Sequence, residues 1–171
     1  MEDTTMMTEQ TIIAKMHELE QKIEYRFNDI PLLAAAMNAT KDQKEYANNV
    51  MATVGDCILK AILSTHLYET NPNITKGKLT DKKQDLEKNA TLAKIMELEN
   101  LRQFTYNDKH FYSKSHPTNE QVRHTGHDPY IEALVFAIYQ DSDYTTTQEW
   151  VIRWLYPRLE KHANTPLYLC N

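Results

Sequence analysis

The sequence predicts an all-α fold, and three observations carry the prediction. Only 3 of the 171 residues are glycine, 41% are hydrophobic, and the hydrophobic residues recur at three- and four-residue spacing through most of the chain. Scarce glycine leaves little turn chemistry for a sandwich or barrel, whereas that spacing puts apolar side chains on one face of a helix. A chain of this length is expected to hold one domain around a single core.

Residues 1–10 show no periodicity and are predicted to be a disordered tail. The domain is placed at 11–160, with 161–171 as a C-terminal tail or linker. Ile12, Ile13, Met16, Leu19 and Ile23 mark a first amphipathic helix. A turn follows at 28–31, with Asp29 as a cap and Pro31 in the first turn of a short second helix. The stretch "KDQKEYANN" reads as a polar connector or helix start. From Val50 to Tyr68 the spacing of Met51, Val54, Ile58, Ile62, Leu63 and Leu67 predicts a long buried helix, with Gly55 and Asp56 in its middle. Pro72 and Gly77 interrupt the chain before one further helix from about Leu79 to Leu98.

Residues 103–127 lack helical period, are polar, and hold four of the seven histidines; they are predicted to be a loop excursion. Asp128 is placed as the cap of the next helix, with Pro129 in its first turn. The run "TTTQEWVIRWLYPRLEKH" predicts one closing amphipathic helix.

The net charge of -5 excludes the basic field of an autonomous nucleic-acid binder, so any RNA contact is local or assisted. Cys57 and Cys170 are far apart, which argues against a disulfide scaffold or zinc site and for a reducing compartment. No apolar run approaches the ~20 residues of a membrane span. The acidic start "MEDTTMMTEQ" does not read as a signal peptide. A cytoplasmic or nuclear location, with no membrane partner, is the expectation.

Four blocks in order resemble the nuclease domain of the ribonuclease III family. "NNVMATVGDCIL" is similar to the signature N-E-R-L-E-F-L-G-D-A-V-L through Gly55, Asp56 and Leu59. "EYRFNDIPLLAAAM" resembles G-Y-x-F-x-D-x-x-L-L-x-x-A-L, "KGKLTDKKQDLEKNATLA" resembles E-G-x-L-T-x-x-R-x-x-L-V-x-N-x-x-L-A, and "PYIEALVFAIYQD" resembles D-x-x-E-A-L-I-G-A-I-Y-L-D. The resemblance implies a ribonuclease III-like helical domain that dimerises through the signature helix and cuts RNA with a magnesium-binding acidic cluster.

The departures from the family pattern fall on that cluster. Asn49 and Ala52 stand where the signature has its two glutamates, Lys76 replaces the glutamate opening the third block, and Pro129 replaces the aspartate of the fourth. Asp56 and Glu132 remain as the catalytic and metal-binding pair that the resemblance implies. Asp128, one residue early, is a candidate third acid, displaced by about 100° of helix rotation. Magnesium manages with one or two carboxylates plus waters and phosphates, so a weakened Mg2+ or Mn2+ site is expected. A two-metal clamp on the attacking and leaving oxygens is not.

These residues therefore imply a divergent ribonuclease III-type endoribonuclease, poor on ordinary double-stranded RNA. It would act on single-stranded or partly single-stranded RNA in processing, silencing or degradation. The alternative is a catalytically inactive pseudonuclease serving as a dimerisation and RNA-binding module. Lys76, Arg123, His124 and His127 are candidate RNA contacts, and His124 with His127 could serve as acid and base in a metal-independent route on single strands. Spacing alone does not define an acid–base pair, and the plainer reading of those histidines, which is preferred, is a solvated loop. A homodimer is the simple assembly, and residues 161–171 are expected to lead towards a separate RNA-binding domain.

Overall fold

A computed structural model describes residues 7–112 and 120–163. Helix α1 (Glu9–Ile23) begins inside the predicted tail, because Thr8 caps it by accepting the Thr11 amide at 3.2 Å. Helix α2 (Ile30–Met37) has Pro31 in its first turn as expected, but Asp29 makes no side-chain cap bond. The polar connector folds as a small antiparallel ribbon of β1 (Lys41–Asp42) and β2 (Glu45–Tyr46). Helix α3 (Asn49–Thr70) follows with no break at its internal Gly-Asp pair.

The single helix predicted from about Leu79 is two helices, α4 (Lys76–Glu87) and α5 (Asn89–Leu98). They part at Lys88, whose ψ of 144° is extended. The break lets Leu86 enter the core from one axis and Leu92, Ile95 and Met96 from another.

The predicted excursion at 103–127 is largely built into the domain. A 3-10 turn (Arg102–Phe104) leads to Tyr106, whose amide donates to the Met37 carbonyl at 3.1 Å and whose carbonyl accepts the Ala39 amide at 2.7 Å. Phe104, Thr105, Tyr106 and Tyr112 are buried. This segment has no helical period because it is held by bridge hydrogen bonds rather than by helical turns. Helix α6 (Glu120–Thr125) also lies within it.

Helix α7 (Tyr130–Asp141) is apolar on nearly every side, as suits a helix enclosed by others. The closing segment is α8 (Tyr144–Trp150), a π-helical turn (Val151–Leu155) and α9 (Tyr156–Ala163), so the predicted tail from 161 starts within a helix. The wide turn ends two residues before Pro157, which cannot donate to an α-helical ladder. Trp150 and Trp154 stack at 5.2 Å and donate their indole N–H groups to the carbonyls of Ile23 and Lys22, pinning the end of α1.

The centre of the domain is the pair α3 and α7, the most extensive helix contact in the molecule. Leu59, Ile62, Leu63 and Leu67 meet Ile131, Leu134, Val135 and Ile138, all at most 1% exposed. The expectation drawn from uninterrupted apolar runs needs one correction, since α3 is long and apolar enough to cross a membrane by length and composition alone. A third of that stretch is buried in the domain, so core packing accounts for part of its composition.

Candidate active site

Gly55 decides how closely α3 and α7 approach. A Cβ at this position would stand 1.7 Å from the carbonyl oxygen of Glu132, so no other residue fits the crossing. The next residue, Asp56, and Glu132 itself therefore open from adjoining helices into the same cleft. The cleft has a volume of about 900 Å³ and is walled by α3, by the α4–α5 junction at Gln84 to Asn89, and by Thr125 and His127.

Each acid has a basic neighbour. Lys60, one turn after Asp56, places its Nζ 2.7 Å from Asp56 Oδ2. His127 Nε2 lies 3.1 Å from Glu132 Oε2. Burial pushes the Glu132 carboxyl above its ordinary pKa; the His127 hydrogen bond opposes this, while the negative charge of Asp56 adds to it. The hydrogen bond that His127 donates to Glu132 raises the pKa of His127, against the cost of burying an imidazolium. Lys60 is raised by its bond to Asp56 and, further off, by the charges of Glu87 and Glu132.

Polar clamps fix the walls. Asn89 donates to the Gly126 carbonyl at 2.6 Å and accepts the Asp128 amide at 2.8 Å, which holds the short segment carrying His127. Gly126 sits at φ +65°, a left-handed conformation that favours glycine. Gln121 of α6 donates to Asn48 and Asn49 at 2.8 and 3.0 Å, tying α6 to the start of α3.

The sequence-derived residues do not all come together here. Asp56, Glu132, His127 and Asn49 line the cleft. Asp128 does not cap α7 and is not a third acid of the site. It is fully buried, with its carboxylate 2.7 Å from the guanidinium of Arg102. The shifted register turns it towards the 3-10 turn, where a buried carboxylate requires a cation. Lys76 stands at the first residue of α4, whereas the cleft takes the other end of that helix; at ~1.5 Å per residue, it lies roughly 12 Å along the axis from Gln84. Arg123 and His124 belong to α6, and their side chains, like His116, lie outside the described residues. His110 is exposed, its ring against Tyr112 rather than in the cleft.

Two cleft residues were not read from the sequence as functional. Lys60 had a signal in its i, i+4 spacing from Asp56. Glu87 stands at the valine position of the L-V-x-N block; its Oε1 pairs with Lys83 at 3.0 Å, while its buried Oε2 has no hydrogen-bond partner.

Among the described residues, no group of three or more His, Cys, Asp or Glu side chains is arranged to hold a metal ion. Asp56 and Glu132, which share the cleft with Glu45, Asp85 and Glu87, are its two acids at the α3–α7 crossing and would suit one oxygen-seeking divalent cation completed by water and phosphate.

Comparison with known proteins agrees with the motifs. The Ribonuclease III domain model matches residues 49–143. Ribonuclease 3 of Vibrio cholerae serotype O1 is 28% identical over 150 residues, covering 85% of this chain and 63% of that protein. Ribonuclease 3 of Francisella tularensis subsp. tularensis is 27% identical over 134 residues, covering 78% and 55%. The chain thus spans roughly 60% of the length of these relatives. Two solved structures of the nuclease domain of ribonuclease III from Campylobacter jejuni superpose with TM-scores of 0.64 and 0.65 at 22% identity. Each comparison covers 88% of this chain and 97% of that one, and establishes the shared all-α fold. With more than half of its length matched by the domain model and the signature Gly55-Asp56 pair at the heart of the helix crossing, this chain belongs to the ribonuclease III domain family.

Proposed function

We propose that the chain is a divergent ribonuclease III-type endoribonuclease domain that cleaves single-stranded or partly single-stranded RNA, in processing, silencing or degradation. The observation that carries this reading is the meeting of Asp56 and Glu132, retained from separate sequence blocks, in one open cleft. One Mg2+ or Mn2+ on these two carboxylates would supply Lewis-acid stabilisation of a phosphoryl oxygen and acidify a water. The chain's own groups position the site: His127 holds Glu132, and Asn89 holds the backbone that carries His127. Ala52 and Pro129, where the family pattern has acids, remove the donors of a second ion, and this underlies the expectation of poor duplex cleavage.

A second reading has its own support. Asp56 and Glu132 are each already paired with a basic side chain, as in a fold that kept its acids for structure alone. The protein would then bind RNA without turnover.

An assay of purified protein on matched single- and double-stranded RNA, with Mg2+, Mn2+ or EDTA, separates the two. Metal-dependent cleavage of the single strand, at least ten-fold faster than of the duplex, is expected. Binding without cleavage under either metal would establish the second reading.

The assembly proposed is a homodimer through α3. Val50, Val54 and Tyr68 are 62, 37 and 64% exposed; Val50, Val54, exposed Cys57 and exposed Ala61 form a stripe at three- and four-residue spacing, which Tyr68 extends seven residues further on. One Campylobacter jejuni structure is described for flexibility in its dimer-forming region. Sedimentation is expected to give twice the chain mass for the wild type and a monomer for Val54→Lys; a monomeric wild type at micromolar concentration would refute the dimer.

A further inference from the structure

An acid and a lysine four residues apart on a helix ordinarily form a surface pair of small consequence. Asp56 and Lys60 differ because their pair lies inside the cleft. Lys60 Nζ is 2.7 Å from Asp56 Oδ2, and Glu87 and Glu132 line the same cleft. Both of those carboxylates are largely removed from solvent, Glu132 at 7% and Glu87 at 10% side-chain exposure. Glu87 also keeps a buried oxygen without a partner. Glu132 is paired with His127 and Glu87 with Lys83, so the positive charge beside Asp56 falls to Lys60.

We propose that the Lys60 ammonium is the built-in cation beside Asp56 in this cleft, taking the place that a divalent metal would take and presenting its charge to an RNA phosphate. The inference deepens the reading of the cleft as an RNA-cleaving site. The two acid positions lost at Ala52 and Pro129 lower the negative charge available to a metal, and Lys60 offsets part of what remains. A divalent cation must displace Lys60 from Asp56 before it binds. Lys60 can yield because its flexible stem is 45% exposed, and the freed ammonium then remains within reach of a phosphate oxygen.

The test is a Mn2+ titration of the full chain, followed by the EPR signal of free Mn2+ with no RNA present. Lys60→Met keeps a strong helix former at a half-exposed position and so preserves the fold. It is expected to tighten Mn2+ binding ten-fold or more, to one ion per chain, while Lys60→Arg, which keeps a cation there, stays at the wild-type affinity. The double variant Lys60→Met with Asp56→Asn is expected to lose the gain. Tightening of less than ten-fold in Lys60→Met, or tightening that survives in the double variant, would overturn the proposal. Because the readout uses no RNA, it stands apart from failure of the cleavage assay.

Discussion

Gly55→Ala is expected to destabilise the domain by about 3 kcal/mol or more, lowering the midpoint of thermal unfolding by roughly 6–12 °C. The added Cβ would meet the Glu132 carbonyl oxygen at 1.7 Å, far inside the ~3.3 Å at which such carbon–oxygen contacts sit. The obstacle is main chain, so no rotamer change relieves it, and α3 and α7 must separate. Separation loosens the contacts of Leu59 and Ile62 with the opposing helix. Alanine's better helix propensity, worth about 1 kcal/mol, acts in the opposite direction and is outweighed. Gly77, near the start of α4, is the internal control: a methyl group added there would find nothing within 4 Å, so Gly77→Ala is expected to be neutral or slightly stabilising. A Gly55→Ala midpoint within about 2 °C of the wild type would mean that the two helices do not cross this closely.

The second large effect is expected at the buried ion pair. Arg102→Ala leaves Asp128, with 0% exposure, as an unpaired buried carboxylate, and such a loss costs about 3–5 kcal/mol. Replacing both partners, as in Arg102→Met with Asp128→Ala, removes the stranded charge. This double variant is expected to recover most of the loss, and chemical denaturation of the cycle reads the coupling. Purely additive losses would show that the pair is not energetically linked. The consequence reaches the cleft, because the Asp128 amide is one of the two points at which Asn89 holds the His127 segment.

The helical architecture was legible in the sequence wherever one apolar face repeats over several turns. Helix α3 is the clearest case, though only part of its predicted stripe is core: Ile62, Leu63 and Leu67 are buried, Met51 and Ile58 are half-buried and Val54 is exposed, while its Gly-Asp pair is an uninterrupted part of the helix. The break at Lys88 was not legible, because no glycine or proline marks it and both flanking helices keep the same apolar spacing. The segment after Arg102 resisted reading for a different reason. Its buried aromatic residues are held by single backbone bridges, which leave no period for a pattern to detect.

At the site, the retained acids could be aligned by motif, but their surroundings could not. The partner of Asp128 is Arg102, 26 positions away, and nothing local in the chain announces that contact. The pairing of His127 with Glu132 depends on the turn through Gly126 and the grip of Asn89. A histidine in a polar stretch was therefore open to being read either as solvated or as functional. Lys60 is the opposite case, since its spacing from Asp56 was visible while its enclosure with Glu87 and Glu132 depends on how α4 packs on α3.

The most direct test of the cleft as an RNA-cleaving centre is the single-turnover cleavage rate on single-stranded RNA for the wild type, Asp56→Ala and Glu132→Ala, with folding and dimer mass checked on the same samples. The expected result is a fall of at least 100-fold in each variant, about 2.7 kcal/mol of lost transition-state stabilisation, with fold and mass unchanged. Wild-type rates in both folded variants would contradict the account and place the chemistry outside this pair of carboxylates.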